Sequence, residues 1–526
     1  MRYDAIIIGG GHNGLVTAWY LARAGLKVHI CEARAIVGGA CVTEEFAPGF
    51  RNSTASYTVS LLQERVMADM ALADYGLRIV PRPLGNFLPL DGDYLKVGAG
   101  QTQAEVARFS ARDAAALPAY EARLERLADQ LRRLAMMIPP GRGLKGLAAV
   151  AAQGWPLTGL DRAEQRDLLA LFTRSAREVL DGWFESDPIK AVFGFDSIVG
   201  HFASPDTPGS AYVLLHHVFG QTNGVKGAWG HAIGGMGAIT QAMAKACTAA
   251  GVSIGLEEPV AEVNIAHGRA CGVTLHDGRV LDARVIASNV GPALLFGQLV
   301  ARSALPADFA RAIGGYATGS GTFRMNVALS ELPDFTVLPG PGVHHGAGII
   351  MVPSLDYMDR AYTDAKAHGW SRAPIVEMLI PSTLDDTLAP PGHHVASLFC
   401  QQFAPGLPNG QCWDDVREGV ADLIIDTVTA HAPNFRASIL ARQIHSPLDL
   451  ERTFGLIGGD IFHGRMSLDQ LWAARPILGH GDHRMPVPGL YLCGSGAHPG
   501  GGVTGAPGHN AARAILNDRR YRRLRV

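Results

Sequence analysis

The chain begins with a short, continuous apolar run, Ala5–Ile8, that ends at glycine. Unbroken hydrophobicity over so few positions predicts a strand buried on both faces. Gly9-Gly10-Gly11-His12-Asn13-Gly14 follows, after which Leu15, Ala18, Leu21 and Ala22 share one helical stripe up to Gly25. The pattern predicts strand, glycine turn and helix, with a second strand over Leu26–Cys31 closing on Glu32. Pro118–Ile138 reads as an amphipathic packing helix, with Tyr120, Leu124, Leu127, Leu131, Leu134 and Ile138 opposite Glu121, Arg123, Glu125 and Arg132. Pro139-Pro140 ends it. Leu144–Leu157, poor in charge, admits two readings: a packed helix, or an apolar rim through which a greasy substrate enters from a membrane.

Farther on, Gly251–Ile254 and Pro259–Val263 read as strands, and Arg269–Leu275 with Val280–Val285 as a hairpin turning at Asp277-Gly278. Val285–Asn289 reads as a further strand ending in a polar residue. Gly234–Gly237 leads into a helical run, Ala238–Ala249, where Gly235 and Gly237 would let backbone lie close to a ring. Near the C-terminus Gly489–Gly494 is a strand. Its glycine-dense continuation opens a helix near Val503 whose body is Asn510–Leu516.

Each part of the first segment has a chemical task. Gly9 permits the tight turn, Gly11 lets backbone approach a pyrophosphate, and Gly14 lets the helix pack on the strand. Free N–H groups at the helix start, around His12 and Asn13, attract phosphate, and Glu32 can accept from both ribose hydroxyls. A lone glycine triad in a chain with 63 glycines is weak evidence, but strand, turn, helix, strand and acid in order are strong. Ala33, Arg34, Gly38, Gly39 and Ala40 follow at once. That second glycine turn suits a flavin, whose longer body must be crossed by backbone without side chains, so the cofactor expected is FAD. Gly494, Ser495, Gly502, Val503 and Gly505 are expected against the flavin ring, with a helix N-terminus aimed at a carbonyl that becomes negative on reduction. Val260 and Asn289, on the third segment, complete the cofactor set.

The fold expected is α/β: a discontinuous, glutathione-reductase-like FAD-binding Rossmann domain from residues 1–95, 226–297 and 480–526, with a mixed α+β substrate domain from 96–225 and 298–479. The length of 526 residues suits more than one folding unit. Forty-eight acidic against 46 basic residues exclude a globally basic nucleic-acid binder. Seven cysteines, none in CxxC spacing, offer neither a redox pair beside the flavin nor a zinc ribbon. Cys493 reads as a small buried residue rather than a point of covalent flavin attachment. Adjacent histidine pairs (His216-His217, His344-His345, His393-His394) would point to opposite faces of a strand, no HExxH occurs, and no metal is expected. His463 and His498 are the candidates for substrate-facing acid–base groups, the plainer account of each being a hydrogen-bonded structural histidine. The N-terminus shows no secretory pattern and no apolar run spans a bilayer, so the location expected is cytoplasmic, with peripheral membrane contact left open.

These motifs resemble the FAD-dependent phytoene desaturase-like oxidoreductases, related more distantly to flavin amine oxidases. The residues that carry the resemblance are Gly9–Leu15, Glu32–Phe50, Gly234–Ala244, Val285–Pro292 and Gly489–Ala512. Pro381–His394 and Gly458–Leu471 resemble a narrower branch, that of pyridine nucleotide-disulfide oxidoreductase domain-containing protein two. The function expected is removal of hydride from a C–H bond of a largely apolar small molecule, with oxygen or a quinone taking the electrons. A flavin amine oxidase, a redox-neutral polyene isomerase or saturase, and an interaction protein with structural FAD stay open beside it, as does the oligomeric state.

Overall fold

A computed structural model describes residues 2–141 and 159–523, so the stretch Leu144–Leu157 lies outside the described residues. Two seven-stranded sheets organise the chain. The first runs Ser253–Gly255, Val28–Cys31, Arg2–Ile8, Val280–Ser288, Arg269–Leu275, Val260–Ala266, with Leu490–Leu492 joined to Val280–Ser288. Its centre is parallel: Ile6 pairs with Ile286 and Ile8 with Cys31. Both faces are covered, which is why Ala5–Ile8 is apolar without alternation. One face packs on helices His12–Arg23, Gly237–Ala249 and Ala506–Arg523 through Leu15, Val16, Ile239, Met243 and Ile515. The other packs on Leu295 and Phe296.

The second sheet runs Ile439–His445, Phe323–Leu329, His394–Phe403, Trp370–Leu379, Gly348–Met351, Asn86–Pro89, Tyr94–Val97. Its side chains alternate. Met325, Leu398, Met378 and Ile349 pack under the helix Trp413–His431, beside Val420, Ile424 and Val428. On the opposite face Arg324, Phe399 and Glu377 stand in one row across three strands. That row faces the first sheet's glycine turn across a cavity.

Four sequence expectations need correction. The first boundary, at residue 95, falls inside a strand of the second sheet, because Asn86–Pro89 pairs in parallel with Gly348–Met351 and carries Tyr94–Val97 with it. Val280–Val285 and Val285–Asn289 are one strand, Val280–Ser288, which pairs with Arg269–Leu275 at its start and Leu490–Leu492 at its end. The amphipathic helix is Ala111–Ala135, capped by Ser110, whose hydroxyl accepts from Asp113 N at 3.1 Å. Pro118 therefore sits inside it. The carbonyl of Ala114, which an interior proline deprives of its helical donor, accepts instead from Gln103 Nε2 at 2.9 Å. The last helix starts at Ala506 rather than near Val503.

The nucleotide fingerprint is held by backbone contact. A Cβ at Gly14 would lie 2.3 Å from the Gly9 carbonyl oxygen, so helix and strand close only on glycine. Gly14→Ala is expected to cost about 3 kcal/mol of folding stability in urea unfolding. Gly297→Ala, whose Cβ meets nothing within 4 Å, should stay within about 0.5 kcal/mol.

Candidate functional site

The cavity between the two sheets has a volume of about 590 Å³. It opens at the carboxyl ends of the parallel strands Arg2–Ile8 and Val28–Cys31, where open α/β sheets place ligands. Its wall there carries Gly9, Gly11, His12, Glu32, Ala33, Arg34, Gly38, Gly39, Ala40, Val260 and Asn289. The C-terminal segment adds Ser495, Gly502 and Val503.

Asn13, Gly14, Gly494 and Gly505 are not at the wall, and their expected contact with the cofactor is corrected to a supporting place. Asn13 Nδ2 donates to Ser495 Oγ at 3.4 Å. Gly494 lies on the Asn289 backbone, and Gly505 fits between Val16 and Val66. Gly235 and Gly237 likewise pack on Thr43, while Met236 and Ile239 reach the cavity. Cys493 is fully buried and away from the wall.

Glu32 is buried with both oxygens occupied: Oε2 accepts from Gly10 N at 2.7 Å and Oε1 from Arg34 N at 2.9 Å. Burial raises its carboxyl above the usual range, and those backbone donors with the Arg34 guanidinium pull it back. Arg34 donates to Glu44 at 2.7 Å and lies 5.0 Å from the Phe454 ring centre. Its Nη1, His12 Nε2 and His463 Nδ1 are buried polar atoms without a partner, all on residues of the cavity wall. Such atoms are costly unless a ligand satisfies them. Together with the glycine-lined turn they fit a flavin dinucleotide.

The two candidate histidines separate. His463 reaches the wall, half-buried, and desolvation lowers its pKa to about 4, leaving a neutral imidazole at pH 7. His498 does not reach it. Its Nε2 donates to the Leu134 carbonyl at 2.9 Å, while Asn510 Nδ2 donates to those of Ala135 and Met137. Both satisfy orphan carbonyls at the end of helix Ala111–Ala135, so His498 is a structural tie and not a substrate-facing group. His344 and His345 sit in a tight turn with ring centres 4.0 Å apart, rather than on opposite strand faces. Among the described residues, His29, Cys31 and Glu258 bring metal-ligating atoms within 4.8 Å, yet His29 is bound to Glu258 at 2.8 Å and Glu258 to Arg279 at 2.8 Å.

Sequence reasoning missed Arg475 and the far wall. Arg475 is fully buried, and its N–H groups go to the carbonyls of Phe462, Gly464, Arg465, Gln470 and Ser495 at 2.7–3.2 Å. At the far wall Tyr57 donates to Glu377 Oε2 at 2.6 Å and stacks on Phe399 at 4.9 Å, beside Arg82, Asn86 and Trp229. Only strand alternation around Glu377 and Arg324 could have hinted that polar residues face inward there.

The chain matches "Flavin containing amine oxidoreductase" over residues 14–323, more than half its length. It is a member of the flavin-containing amine oxidoreductase family. Pyridine nucleotide-disulfide oxidoreductase domain-containing protein 2 of Rattus norvegicus is 42% identical over 98% of this chain and 94% of its own. Phytoene desaturase (lycopene-forming) of Pseudescherichia vulneris is 26% identical over 97% and 98%. A crystal structure of an oxidoreductase from Methanosarcina mazei superposes with a TM-score of 0.62 at 16% identity, over 98% of this chain and all of the other. The family's cofactor is a flavin. All seven cysteines of this member are free thiols, so no disulfide stands beside the flavin site. Among the described residues no helix is long and apolar enough to cross a membrane.

Two substitutions probe the wall. Glu32→Ala removes an acceptor for ribose hydroxyls and is expected to weaken flavin binding about 10-fold or more in equilibrium dialysis. Arg475→Leu leaves five carbonyls without their donor and should cost about 3–5 kcal/mol in urea unfolding, with loss of bound flavin. Arg475→Lys, with three donors on one atom, should restore only part.

Proposed function

We propose that this flavoprotein is an FAD-dependent dehydrogenase or desaturase that takes hydride from a C–H bond of a largely apolar small molecule, with oxygen or a quinone as electron acceptor. One observation carries the reading: a single cavity runs from the dinucleotide fingerprint to the inward face of the second sheet, past Leu61, Val199, Trp229, Phe399 and Ile461. A cofactor kept only as a structural element would need no such space beside it. The flavin, when bound, supplies the hydride-accepting chemistry.

The chain's own residues then orient and shelter. Gly9, Gly11 and the N-terminus of helix His12–Arg23 suit the pyrophosphate, and Glu32 suits the ribose. His463 faces the cavity as a neutral imidazole able to hydrogen-bond, and it brings no positive charge at pH 7. The sheet wall excludes water and holds the substrate carbon near the ring.

The test is anaerobic mixing of the flavin-loaded protein with a cyclic terpene, a polyene, a medium-chain alkyl acid and a primary alkylamine. Bleaching of the flavin bands by a non-amine, with none by the amine, is the expected result. Bleaching by the amine alone would overturn the reading. Adding air or a soluble quinone to the bleached protein identifies the acceptor by which one restores the bands faster.

A further inference from the structure

The far end of the cavity carries charge that its own residues do not balance. Arg82 reaches the wall beside Glu377, Asn86 and Tyr57. Among the described residues its guanidinium makes one side-chain hydrogen bond, to Thr58 Oγ1, out of five N–H donors. Arg324, 1% exposed, lies 4.7 Å from the Tyr57 ring centre. Its Nη2 donates to Ser397 Oγ at 2.6 Å, while its Nε and Nη1 have no partner. The one carboxylate among them, Glu377, already accepts from Tyr57. Asp196, which feels the charge of Glu377, is buried, and burial with that charge pushes its carboxyl well above the usual range. Two guanidinium groups thus face the single Glu377 carboxylate at this wall, an excess of cationic groups in a place poor in water. A buried cation without a counter-ion is costly, and a bound monoanion would relieve it.

We propose that this end of the cavity binds the carboxylate of an amphiphilic acid, with Arg82 as its charged partner. The proposal rests on the reading of the cavity as a flavin–substrate chamber and names the substrate class for it. A planar guanidinium with free donors matches a carboxylate in a two-point geometry. The apolar stretch past Phe399, Trp229 and Ile461 would take the hydrocarbon part, leaving a C–H bond of the chain toward the flavin wall. An ammonium group would meet the excess positive charge instead. By this charge count the chamber disfavours amines although the family is named for them.

The experiment is calorimetric titration of the flavin-loaded protein with decanoate, decan-1-ol and decylamine, with the flavin bands followed in parallel. Decanoate is expected to bind about 10-fold or more tightly than decanol and to perturb the bands, with decylamine weakest. Arg82→Leu should abolish the preference for decanoate over decanol, and Arg82→Lys should keep part of it. Glu377→Gln, which removes the single negative charge, should tighten decanoate binding. That variant still tests the proposal if Arg82→Leu fails to fold. Equal binding of decanoate and decanol, tighter decylamine, or an unchanged preference in Arg82→Leu would overturn the proposal while leaving the flavin reading intact. A purified chain that takes up no flavin at all would overturn both.

Discussion

A fully buried guanidinium fixes the wall on which the rest of the site depends. Taking Arg475 out of water costs several kcal/mol, and among the described residues it makes no ion pair with a carboxylate. The offset comes from carbonyl oxygens: Phe462, Gly464, Arg465, Gln470 and Ser495 converge on its five N–H groups. Those carbonyls belong to two segments, 462–470 and 495, on either side of Arg475. One places Phe462 and His463 at the cavity, the other Ser495. Asp460 extends the network by accepting from Gly319 N and Phe462 N, and Gln470 pairs with the Ala317 backbone in both directions. The loops over the cavity are thus tied to each other and to the approach of the second sheet.

The two ends of the chamber are built for different electrostatics. At the fingerprint end His12 and His463 are desolvated with pKa values lowered to about 4, so both are neutral at pH 7 beside a ring that gains negative charge on reduction. The fixed polarity there comes from backbone N–H groups at the start of helix His12–Arg23. At the sheet end the charges are side chains in one row, Arg324 and Glu377 flanking Phe399, with Tyr57 and Arg82 brought against them.

The fingerprint end was legible in the sequence because its determinants are local. Strand, glycine turn, helix and acid occupy residues 5–32, and each step follows from spacing alone. The sheet end was not legible, because Glu377 and Phe399 meet only through strand register, while Tyr57 and Arg82 reach them from loops elsewhere in the chain. Pro118 misled for a similar reason: a proline predicts a helix start, and only the distant Gln103 amide, feeding the stranded Ala114 carbonyl, lets the helix run through it. His498 misled because a glycine-rich loop near a flavin invites a chemical role, whereas its partner is the end of a helix more than three hundred residues earlier in the chain. The strands Asn86–Pro89 and Tyr94–Val97 joined the second sheet through a parallel partner that no local pattern announces.

The most direct test of the account is the visible absorption spectrum of the purified protein, with the cofactor released by denaturation and identified by chromatography against FAD, FMN and riboflavin. The account predicts oxidised-flavin bands and release of FAD, since Gly9, Gly11 and Glu32 would have the adenosine half, which FMN lacks, to hold. A colourless protein that gains no flavin bands on incubation with FAD, or one that releases FMN, would contradict it.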